Sequence, residues 1–506
     1  MKWNRFWILF PAVAAILALW SLPALAAGDT LVVATTSDAK TLDPHESPDG
    51  ASAHIMVQIY ETLVKVGPGG QIEPSLAEKV ERIDDLSYRF TLRRGVKFHN
   101  GEELKASDVK YTFERKAAIG KINYVLGNID LAKTEVVDDS TIIIRTKVPD
   151  TSFLAHLTHW GGGCILNEKA TKAAGQDFGT HPVGTGPYEF VSWAKGDRIV
   201  LKRFDGYRGK KSTIPNVVVR TITEATNRVI ELEAGGVDIS YAILPIDLSK
   251  VQSNPKLRLL RTPDAVVQYM GFNLSKKPFD DIRVRQAIAH AIDVEKMVKV
   301  IFRGVGGVPK SVFAPSVKYY DPNMPTYPYD PEKAKALLAE AGYKDGFRFT
   351  ILTADRKERI DMATVIQNQL KKVGIEVGVN VMEWGAFQEK LKDRTHEVYL
   401  NSWTTAVPDP DYSVFGPFHS SQARIGLNRS MVVEKDIDDL IEKGRVTPEG
   451  AERKAIYSSI QKRIAELEPW LLLHNGEQLV GTQKYVKGFS PDPGSYHVLH
   501  TVYFEE

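Results

Sequence analysis

Apolar and polar side chains recur along this chain at the periods of both strands and helices. Residues 86–92 alternate between apolar and polar, which is the period of a half-buried strand. Asn100-Gly101 predicts a hairpin turn, because both residues tolerate positive φ. Ser107 or Asp108 can then cap a helix through its side-chain oxygen. This stretch predicts a strand, a short strand at 96–98, a turn and a capped helix, and it carries no reactive group.

The second half of the chain predicts an α/β arrangement. A strand at 347–353, a helix at 360–373 and a strand at 375–381 follow in β-α-β order, which implies a parallel sheet and a right-handed crossover. Further strands are predicted at 257–262, 266–273, 398–403 and 470–474. Residues of about 60–180 instead predict mainly antiparallel pairs and form a sub-lobe of their own.

The N-terminus has the pattern of a cleavable signal peptide. Lys2 and Arg5 precede the apolar run 6–20, and Ala24 and Ala26 form an A-x-A cleavage site. The apolar run is short for a spanning helix, which needs roughly 20 residues. No cysteine lies at the cleavage site for lipid attachment. The sequence predicts a signal peptide at 1–26 and an exported mature chain, which begins at Ala27 and does not itself span the membrane.

Composition argues against a nucleic-acid-binding protein and against a fold held by intramolecular disulfides. The chain has 65 basic and 63 acidic residues, and the predicted signal peptide removes Lys2, Arg5 and no acid. A formally neutral mature chain without a basic run gives no support for nucleic-acid binding. The mature length indicates two or more lobes. The one cysteine, Cys164, cannot form an intramolecular disulfide and is interpreted as a buried apolar residue.

No catalytic or metal-binding motif stands out. The histidines are scattered, without an H-E-x-x-H or a Cys–His cluster, and there is no G-x-S-x-G elbow. The pair Asp409 and Asp411 flanks a proline and is interpreted as a turn. We therefore predict no catalytic residue, no metal and no cofactor. An exported hydrolase or peptidase on a similar two-lobed shell stays open as the alternative, because the partners of a triad meet only in space.

Several segments together resemble the extracellular solute-binding proteins of family 5. These are the dipeptide-, oligopeptide-, nickel- and glutathione-type binding subunits of ABC importers. The resemblance covers nearly all of the mature chain, in the family's order. The matching segments are YETL (60–63), YRFTLRRGVKFHNGEELKASDVKYTFER (88–115), VGTGPY (183–188), GFNL (271–274), PFDDIRVRQAIAHAID (278–293) and VKGF (486–489).

The resemblance implies an α/β, two-lobed periplasmic binding protein fold that is type II-like. Lobe I would comprise residues 27–265, including the sub-lobe at about 60–180. Lobe II would comprise 266–478, and residues 479–506 would return to lobe I. Two chain crossings are expected near 262–270 and 474–484, with the ligand enclosed between the lobes by hinge closure.

The function that the resemblance implies is the periplasmic substrate-binding component of an ABC importer. Its expected partners are a small-molecule or short-peptide ligand and an inner-membrane ABC permease, and the chain is expected to be a monomer. A ligand enclosed between two lobes loses most of its water, so its charged ends need paired partners. A micromolar affinity corresponds to about −8 kcal/mol, which a few charge-assisted hydrogen bonds and an aromatic wall can supply.

The resemblance also suggests ligand-binding residues. Arg356, with Arg359 as its rival, resembles the arginine that meets a ligand carboxylate in dipeptide-type members. Trp403 resembles the pocket tryptophan of the peptide binders. In those proteins Trp-x-x-Asp supplies an aspartate for the peptide's ammonium, whereas this chain has Ala406 at that position. The remaining predicted site residues are Asp409 and Asp411 as substitutes for that aspartate, Tyr269 on the first crossing, and His45 and Ser47 in the loop after the first strand.

The missing aspartate weakens the case for a generic di- or oligopeptide. It leaves glutathione-like compounds, modified amino acids, opines and sugar conjugates as candidate ligands. The lack of a histidine constellation disfavours nickel-type use, although a metal carried by a small chelator stays open.

Overall fold

The computed structural model of the chain describes residues 28–46, 49–67, 70–119, 123–494 and 496–505. The predicted signal peptide and Ser47 lie outside these residues. The strands are Thr30–Thr35 (β1), Val64–Val66 (β2), Ile72–Pro74 (β3), Ala77–Arg82 (β4), Ser87–Leu92 (β5), Glu135–Asp138 (β6), Thr141–Arg145 (β7), Tyr188–Ala194 (β8), Arg198–Arg203 (β9), Asn216–Thr221 (β10), Ile239–Ser240 (β11), Leu257–Phe272 (β12), Arg348–Ala354 (β13), Glu376–Met382 (β14), Val398–Thr404 (β15), Trp470–Gln483 (β16), Val486–Lys487 (β17) and Tyr503–Phe504 (β18).

The α-helices are Gly50–Ile59 (α1), Ala106–Ile119 (α2), Asn123–Leu126 (α3), Phe153–His156 (α4), Glu168–Ala174 (α5), Ala225–Ala234 (α6), Leu248–Ser253 (α7), Ile282–Ala291 (α8), Val294–Phe302 (α9), Pro331–Glu340 (α10), Lys357–Leu370 (α11), Trp384–Lys392 (α12), Asp411–Phe418 (α13), Ser420–Ala423 (α14), Lys435–Val446 (α15) and Ala451–Leu467 (α16). Short 3₁₀ helices lie at Leu131–Lys133, Gly175–Thr180 and Lys371–Val373.

Ten of the described strands form one mixed sheet, in the order β14-β13-β15-β12-β16-β11-β1-β10-β9-β8. In the lobe II half, β13 runs parallel to both β14 and β15. In the lobe I half, β1 runs parallel to β10 and β11. The parallel pair β13 and β14, joined by α11, is the β-α-β unit that the sequence predicted for residues 347–381. The α/β, two-lobed fold is therefore confirmed.

The two longest strands, β12 and β16, connect the two halves of this sheet. They pair antiparallel from Leu257 opposite Gln483 to Gly271 opposite Trp470. Their register shifts between Pro263 and Val267, so an irregularity absorbs the proline without ending the strand. The prediction of two separate strands at 257–262 and 266–273 was therefore wrong. The predicted limits of the lobes stay a prediction.

The sub-lobe is built on a separate antiparallel sheet in the order β4-β5-β7-β6, with α2 packed against β6 and β7. The hairpin at Asn100-Gly101 is less regular than predicted, because residues 96–98 contribute a single bridge, Lys97 to Glu103, in place of a strand. Asp108 lies inside the first turn of α2 instead of capping it. Its carboxylate accepts the backbone N–H groups of Lys105 and Glu168, at 2.9 Å each.

Lobe II also contributes side chains to the hydrophobic cores of the other two units. Val407 and Tyr412 pack in the sub-lobe core with residues such as Phe90 and Phe153. Val305 packs with lobe I residues such as Leu479. The lobes therefore touch at more places than the two crossing strands alone.

Cys164 is buried, as predicted for an apolar residue. Burial raises the pKa of its thiol to about 12, so the thiol stays protonated at neutral pH. Across the described residues, no helix has both the length and the apolar character needed to cross a bilayer.

Candidate ligand-binding site

The carboxyl ends of the parallel strands in both lobes lead toward the crossing strands. In lobe II, Thr404 at the end of β15 pairs with Val266 on β12. In lobe I, β11 pairs with β16 and the chain continues to Ile243, whose N–H donates to Leu479 at 3.0 Å. Ligands in α/β sheets bind beyond the carboxyl ends of the strands. The candidate site is therefore the region around the crossing strands, where the ends of β11 and β15 meet β16 and β12.

Arg359 is the most distinctive charged group at this edge of lobe II. It lies in the first turn of α11 and is only 3% exposed. Its Nη2 donates to Ser402 Oγ at 3.0 Å, whereas its buried Nη1 has no hydrogen-bond partner. Arg359 makes no ion pair with any carboxylate of the described residues. A buried guanidinium without a counter-charge is costly, so this atom is suited to a ligand anion.

Arg359 stays positively charged at neutral pH although it is buried. Desolvation, with repulsion by Arg356 as the second cause, lowers the pKa of Arg359 to about 10, which still leaves it protonated at neutral pH. Arg356 itself is exposed, and its guanidinium lies 5.3 Å from the centre of the Trp384 ring. Arg359 lies 5.6 Å from the same ring. The indole thus supports both cations through cation–π contact.

Polar groups extend the site from Arg359 toward the crossing. Ser402, which accepts from Arg359, is the cross-strand partner of Gln268 on β12. Gln268 Oε1 is buried without a partner, and its Nε2 lies 3.3 Å from His474 Nδ1. The guanidinium of Arg359, the hydroxyl of Ser402 and the unpaired acceptor of Gln268 therefore follow one another in space, from α11 to β12. This order suits a carboxylate with a hydrogen-bonding group beside it.

Trp403 lies between the sub-lobe and lobe II. Its ring is half-buried and packs against the cores of both units. Its Nε1 donates to the carbonyl of Tyr412 at 3.2 Å, and the two rings lie 5.8 Å apart. A Cβ on Gly416 would come within 2.8 Å of the indole, so this close approach requires glycine. Trp403 can thus serve as a pocket wall and also stabilise the fold.

Asp409 is committed to an internal ion pair. Arg453 donates to both of its carboxylate oxygens at 3.0 Å, and Ser152 Oγ donates to Oδ1 at 2.9 Å. Burial alone would raise the pKa of Asp409, but Arg453 outweighs burial and holds that pKa below its usual value. Asp409 therefore has a structural partner in place of a ligand ammonium.

Asp411 is enclosed by a second set of charged groups. Arg445 Nε lies 3.3 Å from Oδ1, and His156 Nε2 lies 3.6 Å from Oδ2. Asp150 of the sub-lobe lies 3.8 Å from Arg445. Burial raises the pKa of Asp411 to about 6, although Arg445 and His156 lower it. Like Asp409, Asp411 joins lobe II to the sub-lobe, although its buried Oδ1 has no hydrogen-bond partner and is held only by the charge of Arg445.

Tyr269 and His45 are buried among other side chains. Tyr269 stacks on Trp470 at 3.5 Å, in the core of lobe II. His45 Nδ1 lies 3.0 Å from Arg115 Nη1, next to the Asp43–Arg115 ion pair, and its Nε2 has no partner. Burial, with the charges of Lys116 and Arg115, lowers the pKa of His45. Tyr269 nevertheless lies within electrostatic reach of Arg359, because it pairs with Asn401, the neighbour of Ser402.

The structure thus brings Arg356, Arg359 and Trp384 together and separates them from His45. Sequence reasoning missed Trp384 and Gln268 altogether. It also missed Arg445 and Arg453, whose pairing with Asp411 and Asp409 decides the role of these aspartates. Among the described residues, no group of three or more His, Cys, Asp or Glu side chains is placed to hold a metal ion.

Comparison with known proteins gives consistent matches. The family model for bacterial extracellular solute-binding proteins, family 5 Middle, matches residues 71–424. The dipeptide-binding protein of Escherichia coli (strain K12) is 30% identical, over 94% of this chain and 96% of that protein. The glutathione-binding protein GsiB of Salmonella choleraesuis (strain SC-B67) is also 30% identical, over 96% of this chain and 97% of that protein.

A solved structure matches over the same extent. It is the ABC transporter-associated periplasmic binding protein DppA from Helicobacter pylori in complex with the peptide STSA. The TM-score is 0.86 at 30% identity, and the match covers 94% of this chain and 98% of that chain. Similarity of this extent applies to both lobes and the sub-lobe together.

Proposed function

The chain belongs to the bacterial extracellular solute-binding proteins of family 5, and from this we propose that it encloses a small peptide-like carboxylate between its two lobes. It acts as the substrate-binding component of an ABC importer. The relatives that support the peptide-like part of the proposal are named as dipeptide-binding and glutathione-binding proteins.

The observation that carries the proposal is the unpartnered Nη1 of buried Arg359. A ligand carboxylate there would neutralise the guanidinium and complete its hydrogen bonds, and hydrogen bonds between charged groups contribute roughly 1.5–3 kcal/mol each. We assign the carboxylate contact to Arg359, with exposed Arg356 adding longer-range attraction. Trp403 and Trp384 would form aromatic walls on either side.

Closure would occur by rotation about the two crossing strands. The register shift between Pro263 and Val267 on β12 supports a hinge at this position, because its ladder of hydrogen bonds is interrupted there. The facing segment of β16 lies near Asn475, which pairs with Val267. We propose these positions as the boundary between lobes I and II.

The same proposal covers the export of the protein, its membrane partner and the absence of catalysis. The signal-peptide pattern at 1–26 supports a soluble periplasmic protein that delivers its ligand to an inner-membrane permease. We propose that the chain works as a monomer without cofactor and without turnover of its ligand. The commitment of Asp409 supports this view, because Arg453 donates to both of its carboxylate oxygens and leaves neither free to act as a base.

Native mass spectrometry of purified residues 27–506, before and after denaturing release, tests the proposal. We expect one solute per chain, carrying at least one carboxylate and released with unchanged mass. A solute without a carboxylate would contradict the assignment of Arg359. Chemical conversion of an added solute would contradict the absence of turnover and favour a hydrolase.

A further inference from the structure

A second group of unusual side chains lies on the lobe I side of the crossing. His54 on α1, Tyr241 directly after β11, and His497 in the C-terminal segment form what we call the imidazole–tyrosine cluster. The Tyr241 ring lies 5.1 Å from His54 and 4.7 Å from His497, and the two imidazoles stack at 5.4 Å. All three residues are far apart in sequence, so only the fold brings them together.

The cluster lies close to the hinge. Tyr241 follows β11 at its carboxyl end, where ligands bind in sheets of this kind. The segment that carries His497 reaches the crossing itself, because Ala265 N–H donates to the carbonyl of Pro493 at 3.0 Å. On the lobe II side of the crossing, Thr405 N–H donates to the carbonyl of the same Ala265 at 2.9 Å. The cluster and the Arg359 site thus flank one hinge segment.

The cluster contains hydrogen-bonding atoms that the protein does not satisfy. His54 Nδ1 is buried without a partner. His497 is 1% exposed, and its Nδ1 faces the N–H of Asp492 at 3.1 Å. That contact makes Nδ1 the acceptor and leaves the hydrogen of the neutral ring on Nε2. Buried polar atoms normally have partners, so the unpaired atom of His54 indicates a place for a ligand group.

The cluster carries no charge at neutral pH. Burial lowers the pKa of His54 to about 4, although the charge of Asp49 acts in the opposite direction. Burial, reinforced by His54, lowers the pKa of His497 to about 3. Burial also raises the pKa of Tyr241, which stays protonated. Asp49, the acid that acts on His54, already accepts from the N–H and Oγ of Ser52 at the start of α1, so a ligand ammonium placed here would meet no carboxylate within the cluster, whereas a neutral donor or acceptor would find partners.

Arg228 holds the loop that carries Tyr241. Its buried guanidinium donates to the carbonyls of Tyr241 and Ala242, at 3.2 and 3.0 Å, and to those of Ile222 and Thr223, at 2.8 and 2.9 Å. Ala242 has a φ of +52°, a left-handed conformation that costs energy for a residue with a side chain. Arg228 thus fixes the loops after β10 and β11 together and acts as a positioning residue.

We propose that the imidazole–tyrosine cluster forms the lobe I contact for an uncharged, hydrogen-bonding group of the ligand, such as an amide or hydroxyl. This inference rests on the proposed function, since it takes the carboxylate end to lie at Arg359. The ligand class is then a carboxylate whose far end is neutral and polar. A zwitterion with a free ammonium group is disfavoured.

Calorimetric titration of residues 27–506 with Met-Leu and with N-acetyl-Met-Leu tests this inference. We expect the acetylated compound to bind about ten-fold more tightly or better, because its amide replaces an ammonium that would be unpaired. Tyr241→Phe should lower affinity for N-acetyl-Met-Leu about five-fold, the effect of one hydrogen bond, and change Met-Leu binding less. Tyr329→Phe, at a partly exposed tyrosine of lobe II, is the matched control and should change neither.

The outcomes separate this inference from the proposed function. Equal or tighter binding of Met-Leu would overturn the neutral contact while leaving a peptide-binding protein. Unchanged N-acetyl-Met-Leu binding by Tyr241→Phe and by His497→Asn would remove the cluster from the site. Failure of both compounds to bind the unmodified protein would overturn the peptide-like ligand and this inference with it.

Discussion

Arg453 and Asp409 form a buried two-point ion pair, with Nη1–Oδ2 and Nη2–Oδ1 both at 3.0 Å. Ser152 of the sub-lobe bridges the pair, because it accepts from Arg453 at 2.9 Å and donates to Asp409 at 2.9 Å. The arginine side chain is fully buried. This pair fastens the sub-lobe to lobe II, and it leaves both carboxylate oxygens of Asp409 engaged within the protein.

Asp409→Ala should destabilise the protein strongly. The change leaves the buried Arg453 guanidinium with Glu449 as its one remaining carboxylate partner among the described residues, and breaking one side of a buried pair typically costs about 3–5 kcal/mol. Urea unfolding at neutral pH measures the loss. The control is Asp439→Ala, which removes the exposed partner of Lys435 and should cause no measurable change. Equal effects of the two substitutions would refute a structural role for Asp409.

Asp264, at the hinge, should make stability depend on pH. Burial raises its pKa to about 6, although backbone N–H groups of Val266 and Gly476 lower it. Because this carboxyl has a higher pKa folded than unfolded, where it is about 3.9, its stabilising effect is complete below pH 4. That effect is lost as the pH rises through about 6.

The matched variant for this prediction is Asp264→Asn, which resembles the protonated side chain. It should be more stable than the unmodified protein at pH 7.5 by up to about 2 kcal/mol, and the difference should vanish near pH 4. Free energies of unfolding from urea titrations at both pH values measure it. A difference that stays constant with pH would show that Asp264 titrates normally.

Trp403→Ala should weaken ligand binding and also lower stability. The half-buried ring packs against two cores, so its removal should cost about 2 kcal/mol, less than the 3–5 kcal/mol of a fully buried aromatic residue. Urea unfolding gives the stability, and titration with a bound solute gives the affinity. A folded variant with unchanged affinity would place Trp403 outside the ligand site.

Gly306 should tolerate alanine much less well than Gly304 in the same loop. Both have positive φ, at +67° and +80°. A Cβ at Gly306 would lie 2.1 Å from the carbonyl oxygen of Asn475 on β16, whereas a Cβ at Gly304 would meet no atom within 4 Å. We expect about 1 kcal/mol for Gly304→Ala and clearly more for Gly306→Ala. Equal thermal shifts would argue against close packing of this loop on the crossing.

Periodicity predicted the regular elements where one face of an element is buried. The helix at α10, for example, begins at Pro331 with Asp330 as its cap, as Asp-Pro indicated. The break predicted at Pro263 was wrong, because pairing with β16 continues on both sides of the proline. Tertiary pairing of this kind is not encoded in the local pattern.

The site was less predictable than the fold. Arg356 and Arg359 are a turn apart, and only their burial distinguishes the exposed from the enclosed arginine. Asp409 could not be recognised as a structural residue, because its partner Arg453 lies more than 40 residues later, on α16. The cluster around Tyr241 depends on residues from three distant segments, so no local motif could reveal it.

The central claim is that Arg359 holds the carboxylate of the ligand. Calorimetric titration with N-acetyl-Met-Leu and its C-terminal amide, on the unmodified protein, Arg359→Ala and Arg356→Ala, tests it most directly. We predict that the unmodified protein and Arg356→Ala prefer the free carboxylate by about ten-fold or more, and that Arg359→Ala loses this preference. Persistence of the preference in Arg359→Ala, or its absence from the unmodified protein, would contradict the claim.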